Sequence, residues 1–264
     1  MQPGWFNDPW HPAQIRYFDG QQWTGQVAPI PGGMSPQPQP PQRGELPLGE
    51  STLFLRSIPE WADIDLSCSV ENAHGQQIAA IRSRSRVPAF AGREVVTLVF
   101  DVVRPDGAPM LTITRIGGFK RSHCVQVHDH AGRDLGRLRQ TSSFLRLFRT
   151  PRMTMVLEFG EKHLGNTDIC INPNKRFEVV YAPIHDLSGA VIATVERRWR
   201  YTGAPTDFFD YKLDCLRATA QPLPVLLLAT AFAHYLYDRL AIGGPTEAMG
   251  RFGRTGNWYD TTSK

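Results

Sequence analysis

The sequence predicts a mainly β protein: a closed antiparallel barrel of about twelve strands around a central hydrophobic C-terminal helix, with a small aromatic β module in front. Three observations predict it. Gly75, Gly132 and Gly189 lie 57 residues apart, and each ends a polar turn between two apolar strands. Apolar residues alternate with polar ones through most of the body, as in Val125/Val127, Phe177/Val179/Tyr181 and Val191/Ala193/Val195, which is the two-residue period of a half-buried strand. One stretch, Leu223 to Ala233, is apolar almost throughout and continues through His234, Asp238 and Arg239 as a helix.

Residues 1–28 form a short Trp-rich module. Pro3-Gly4-Trp5, Asp8-Pro9 and Arg16-Tyr17-Phe18-Asp19-Gly20-Gln21-Gln22-Trp23-Thr24 place a tight Asp-Gly turn between aromatic-rich strands. Residues 29–50, rich in Pro, Gly and Gln, read as a linker, and 243–264 as a loose tail. The body is 51–242. Its turns are Asn72–Gly75, Asp129–Gly132 and Asp186–Gly189, where glycine supplies a positive φ. The same 57-residue offset relates Val70, Val127 and Ile184, and Ile78, Leu135 and Ile192. Further hairpins turn at Arg104–Gly107 and near Gly160–Gly165. Eleven or twelve such strands hide their edges by closing into a barrel. A barrel that wide cannot be filled by strand side chains alone, and an all-apolar helix fills it. The alternative is a single-pass span through 223–242. It has to carry Asp238 and Arg239, each costing about 2.5–3.5 kcal/mol near a bilayer centre.

The module resembles a short bacterial N-terminal module with the pattern PGW, DP, RY, DG, WT, and more loosely a WW domain. Pro36-Gln37-Pro38-Gln39-Pro40-Pro41 reads as linker or as a polyproline ligand. In the body, Gly189-Ala190-Val191-Ile192-Ala193-Thr194-Val195-Glu196-Arg197-Arg198-Trp199, then Asp207-Phe208-Phe209-Asp210-Tyr211-Lys212-Leu213-Asp214, then the apolar helix, resemble the C-terminal half of the phospholipid scramblases, within the tubby C-terminal-like superfamily. The resemblance implies a twelve-stranded barrel around a helix and action on membrane phospholipids, including calcium-dependent movement between leaflets. It implies calcium ligands at Asp207, Asp210 and Asp214, although these lack the glycine and closing glutamate of a calcium loop. Tubby-like relatives bind phosphoinositides without scrambling, so a non-scrambling adaptor that binds anionic phospholipid, with a protein partner on the Trp-rich module, is the alternative.

The charge distribution points the same way. The net charge is +4 and the pI about 9.0, which suits an anionic partner. Candidate lipid-binding residues are Arg82, Arg84 and Arg86, alternating on one strand face; Lys120 and Arg121; Phe144, Arg146, Phe148, Arg149 and Arg152, which interleave rings with cations; and Arg197 and Arg198. Nucleic acid is not expected as a partner, for want of a recognition helix, zinc finger or RNA-binding aromatic motif. No enzyme activity is expected either. His123, Cys124, His128 and His130 cluster in sequence, but His128-Asp129 recurs as His185-Asp186 at the 57-residue offset, the mark of a turn element. The four cysteines form no CxxC pair. The expected location is cytoplasmic, peripheral at the inner face of the plasma membrane, with reduced thiols.

Overall fold

The computed structural model describes residues 2–10, 14–29, 44–57, 66–84, 96–117, 123–142, 152–170, 180–200 and 208–240. The chain divides into two units, 1–42 and 43–264.

The first unit is a three-stranded antiparallel sheet in the order β1 (Gly4–Asn7), β2 (Gln14–Phe18), β3 (Trp23–Pro29). Gly20, at φ +103°, makes the β2–β3 turn, and Asp19 Oδ1 accepts the N–H groups of Gln21 and Gln22 at 2.8 and 2.7 Å.

The second unit is a closed barrel of twelve strands. They are β4 (Thr52–Ser57), β5 (Cys68–Asn72), β6 (Gln77–Ser83), β7 (Leu98–Val103), β8 (Pro109–Ile116), β9 (Cys124–Asp129), β10 (Asp134–Gln140), β11 (Arg152–Phe159), β12 (Lys162–Cys170), β13 (Val180–Asp186), β14 (Val191–Arg200) and β15 (Phe208–Cys215). Each pairs antiparallel with its sequence neighbour, and β4 closes the ring by pairing with β15 as well as β5. The 57-residue repeat becomes a three-part ring: β5–β8, β9–β12, and β13–β15 completed by β4.

The three repeated turns share one hydrogen-bond pattern. The side-chain oxygen of Asn72, Asp129 or Asp186 accepts the N–H two and four residues on at 2.8–3.0 Å. Gly75, Gly132 and Gly189 follow at φ +76°, +80° and +82°. An acceptor side chain at the turn entrance replaces ladder bonds that the turn gives up.

Through the barrel runs α1 (Leu223–Leu240), 18 residues long. It is buried on every side from Leu226 to Asp238. Phe232 meets Phe100 edge-on, with ring centroids 4.8 Å apart. Inward strand residues such as Leu55, Val70, Ile81, Ile113, Val127 and Leu213 complete one continuous core. The plug expectation holds, and among the described residues no helix is long and apolar enough to cross a membrane.

One boundary is corrected. The linker assigned to 29–50 gives way at residue 44 to a strap that belongs to the barrel. Glu45 and Thr219 exchange backbone hydrogen bonds at 2.8 and 2.9 Å. A short 3₁₀ turn, Pro47–Gly49, then sits against α1. Gly44 is required there, because a Cβ would stand 2.8 Å from the Ala218 carbonyl carbon. The helix is described to Leu240, and the tail at 243–264 lies outside the described residues.

Candidate functional site at the long-connection end of the barrel

The up-and-down topology sorts the connections. The β5–β6, β7–β8, β9–β10, β11–β12 and β13–β14 turns, the strap and the start of α1 lie at one end, the turn end. The end of α1 lies at the other. So do both ends of each of six longer segments, 58–65, 85–95, 118–122, 143–151, 171–179 and 201–207, which are themselves outside the described residues. Their charges are unevenly shared. The four consecutive connections from β6–β7 to β12–β13 carry eight Lys or Arg against Glu94 and Glu178, whereas β14–β15 and β4–β5 carry only acids: Asp207, Glu60, Asp63 and Asp65. Arg86, Lys120, Arg121, Phe144, Arg146, Phe148 and Arg149 fall in the basic four, outside the described residues.

Of the described candidates, Arg152 is exposed at the start of β11. Arg82 is exposed on the outer face of β6. Arg84 shares that face and is held by Asp101 through two hydrogen bonds, one of 2.6 Å from Nη2. Arg198 is exposed and paired with Glu196 at 2.9 Å.

Arg197 is corrected: it faces the interior, 2% exposed, with Nη1 3.3 Å from both carboxylate oxygens of Asp238 on α1. Tyr211 donates to the same carboxylate at 2.5 Å. Burial first, then the Asp238 charge, drives the Tyr211 hydroxyl pKa well up, so it stays a donor. Arg197 is a peg between β14 and the helix and does not reach a head group. The signal was present in the alternation of Ala193 and Val195, which continued by two residues places Arg197 inside.

The same end holds a second buried polar set. Arg115 on β8 is fully buried, donating from Nη1 to the Val96 carbonyl at 2.8 Å and from Nη2 to His123 Nδ1 at 3.0 Å, and its guanidinium lies 5.7 Å from the Tyr237 ring centroid. As an acceptor at Nδ1, neutral His123 carries its proton on Nε2. Desolvation, and then the Arg115 charge, holds the His123 pKa at about 3. His234 on α1 is likewise held at about 3 by burial and by Arg197. The sequence cluster of His123, Cys124, His128 and His130 is dispersed by strand alternation. His123 points inward, Cys124 and His128 are on the outer face, and His130 is in a turn.

The basic run from Arg115 to Arg152 is also partly neutralised. Arg133 pairs with Asp129, and Arg137 and Arg139 both pair with Glu158 at 2.9 and 2.5 Å. Those arginines hold the Glu158 carboxyl at about 2 against the opposing effect of burial. Glu158 comes from the next strand and lies beyond the sequence window in which the basic residues stand out.

The proposed calcium set does not assemble. Asp207 lies outside the described residues. Asp210 and Asp214 share the outer face of β15 but are four residues apart, roughly 13 Å at strand rise, too far for one ion that needs oxygens within about 2.6 Å. Asp214 accepts from Thr52 Oγ1 at 2.8 Å and pairs with Lys212. Among the described residues no group of three His, Cys, Asp or Glu is placed to hold a metal.

In the N-terminal unit the nearly buried Asp8 organises the loop after β1. It accepts from Trp10 N, Gln14 Nε2 and Arg16 at 2.8–3.1 Å. Burial pushes its carboxyl up, but these donors win and hold it at about 2. Phe6, Trp10 and Phe18 ring Trp23 at centroid distances of 5.2–6.5 Å, while Trp5 and Tyr17 meet on the other face at 5.5 Å. Trp5 and Trp10 remain 46% and 62% exposed.

A family described as proteins of unknown function, DUF2510, matches residues 3–42. The match covers the N-terminal sheet and not the barrel. No curated protein matches the chain, and no solved structure does.

Proposed function

We propose that this protein binds anionic phospholipid at the cytoplasmic face of a membrane through the end of the barrel where the long connections begin and end. What supports the reading is the sequence of the four consecutive connections that begin and end there: they carry eight Lys or Arg, and one of them interleaves Arg146 and Arg149 with Phe144, Leu145, Leu147 and Phe148. Rings and leucines suit the head-group boundary and arginines suit phosphates. The acidic connections on the opposite side orient such a rim, because they are repelled by an anionic leaflet. The exposed aromatic residues of the N-terminal sheet suit a protein partner, which makes the molecule an adaptor.

Scrambling between leaflets, which the resemblance implies, is the second reading. Among the described residues the one α-helix, α1, is enclosed by strands. Binding without scrambling fits the buried helix better.

Sedimentation with vesicles tests this. The protein should pellet with phosphatidylserine-containing vesicles at 0.1 M salt, be released by high salt, and ignore phosphatidylcholine vesicles. Each basic residue near the leaflet contributes about 1 kcal/mol, so Arg146→Glu with Arg149→Glu should weaken binding by about 2 kcal/mol or more, roughly thirtyfold. Equal pelleting of the variant rejects the rim. Leaflet equilibration of a fluorescent lipid by the wild-type chain would instead favour scrambling.

A further inference from the structure

A cleft of about 490 Å³ opens at the turn end of the barrel, opposite the rim. That volume lies within the range of small-molecule sites, roughly 300–1,000 Å³. The strap, the first turns of α1, the β7–β8 hairpin and the β9–β10 turn border it, and it is open to solvent on one side. Its floor is the barrel core itself, Leu111 and Leu228, only 9% and 1% exposed. Half-buried Leu48, Met110 and Val225 continue the apolar surface.

The polar groups at the cleft are asymmetric. On the strap side, Gln221 Nε2 donates to Glu45 Oε2 at 2.5 Å, which positions that carboxylate without neutralising its charge. On adjacent turns opposite stand Arg104 and His130. Among the described residues Arg104 forms no ion pair, and its backbone N–H merely closes its own turn on the Ala108 carbonyl at 2.9 Å. The helix start contributes no donor. Pro222 and Pro224 lack N–H groups, and the N–H groups of Leu223, Val225 and Leu226 are bonded to the Ala220 and Pro222 carbonyls. The cleft therefore has one cationic side, at Arg104 with His130 as a hydrogen-bonding neighbour, across from the Glu45 carboxylate on the strap, so an anionic head is received on the Arg104 side.

We infer that this cleft binds a single-chain amphiphile with an anionic head, its alkyl chain on the Leu111–Leu228 floor and its carboxylate or phosphate at Arg104. An apolar floor continuous with the core rewards the chain at about 25 cal/mol per Å² removed from water. A planar guanidinium takes either head group in two parallel hydrogen bonds. The site is independent of the rim.

Titration calorimetry on the full chain tests it, with dodecanoate and dodecyl phosphate as probes below micellar concentration and dodecyltrimethylammonium as the cationic control. One-to-one binding of either anion, at least tenfold tighter than the cation, is expected, and the preferred anion distinguishes a fatty-acid ligand from a phospholipid-like one. Met110→Trp, which fills the cleft, should abolish binding. Arg104→Glu, on an exposed turn outside the core, should weaken it at least tenfold while leaving vesicle pelleting unchanged. No saturable binding of either anion, equal binding of the cation, or undiminished binding in both variants overturns the inference.

Discussion

Arg197 and Arg198 are neighbours in sequence and stand in opposite surroundings, one sealed against Asp238 and the other exposed beside Glu196. A buried guanidinium is stable only with its carboxylate, since either charge left alone in the interior is costly. Arg197→Met should therefore lower stability by about 3–5 kcal/mol, because Asp238 keeps its charge and loses a cation. The double variant Arg197→Met with Asp238→Leu should recover most of that loss. Chemical denaturation of the two variants decides it: equal destabilisation means that the pair is not coupled. This pairing was only half legible. Strand parity could place Arg197 inside, but its partner is 41 residues away on the helix, and no local pattern joins them.

At the scale of elements, the turns were the most legible feature. Asn or Asp followed three residues later by Gly is a local instruction, and it produced the same bonds three times. Pairings across strands were less so, because they depend on register. Glu158 neutralises Arg137 and Arg139 only because β10 and β11 lie side by side with Arg137 opposite Glu158. The strap was missed for a related reason: a Pro-rich composition says nothing about whether backbone groups find partners, and Glu45 finds Thr219 from the far end of the chain. Close backbone approach is equally invisible in sequence. Gly165 on β12 has a Cβ position 2.3 Å from the His185 carbonyl oxygen on β13. Gly165→Ala should force these strands apart and cost about 1–3 kcal/mol, as overpacking does. Thermal unfolding should show the loss, whereas Gly107→Ala, where nothing lies within 4 Å, should show only the cost of its positive φ. Equal shifts would mean that the contact relaxes freely.

For the whole molecule, enclosing a helix that carries His234, Tyr237 and Asp238 ties the stability of the barrel to pH. His123 and His234 both have folded-state pKa values of about 3, against 6.5 for a free histidine. Between those values the unfolded chain binds protons that the folded chain refuses, so the folded state loses stability as pH falls from about 6.5 towards 3. Each histidine contributes up to about 1.4 kcal/mol per pH unit in that window. Glu158, at about 2 when folded and 4.5 otherwise, adds a loss of the same sign only below about pH 4.5, where the unfolded carboxylate takes up its proton first. The expected profile is therefore flat above neutrality and falls with a slope of about two protons between pH 6 and 5, steepening below 4.5. His234→Leu separates the contributions. Its Nε2 is buried with no hydrogen-bond partner, so an apolar replacement removes an unsatisfied group as well as a titrating one. Urea unfolding at pH 7, 6 and 5 should show the slope reduced to about one proton and stability at pH 5 above that of the wild type. An unchanged slope would mean that His234 is protonated alike in the folded and unfolded chain, and that the interior around α1 is far more polar than its apolar wall of strands implies.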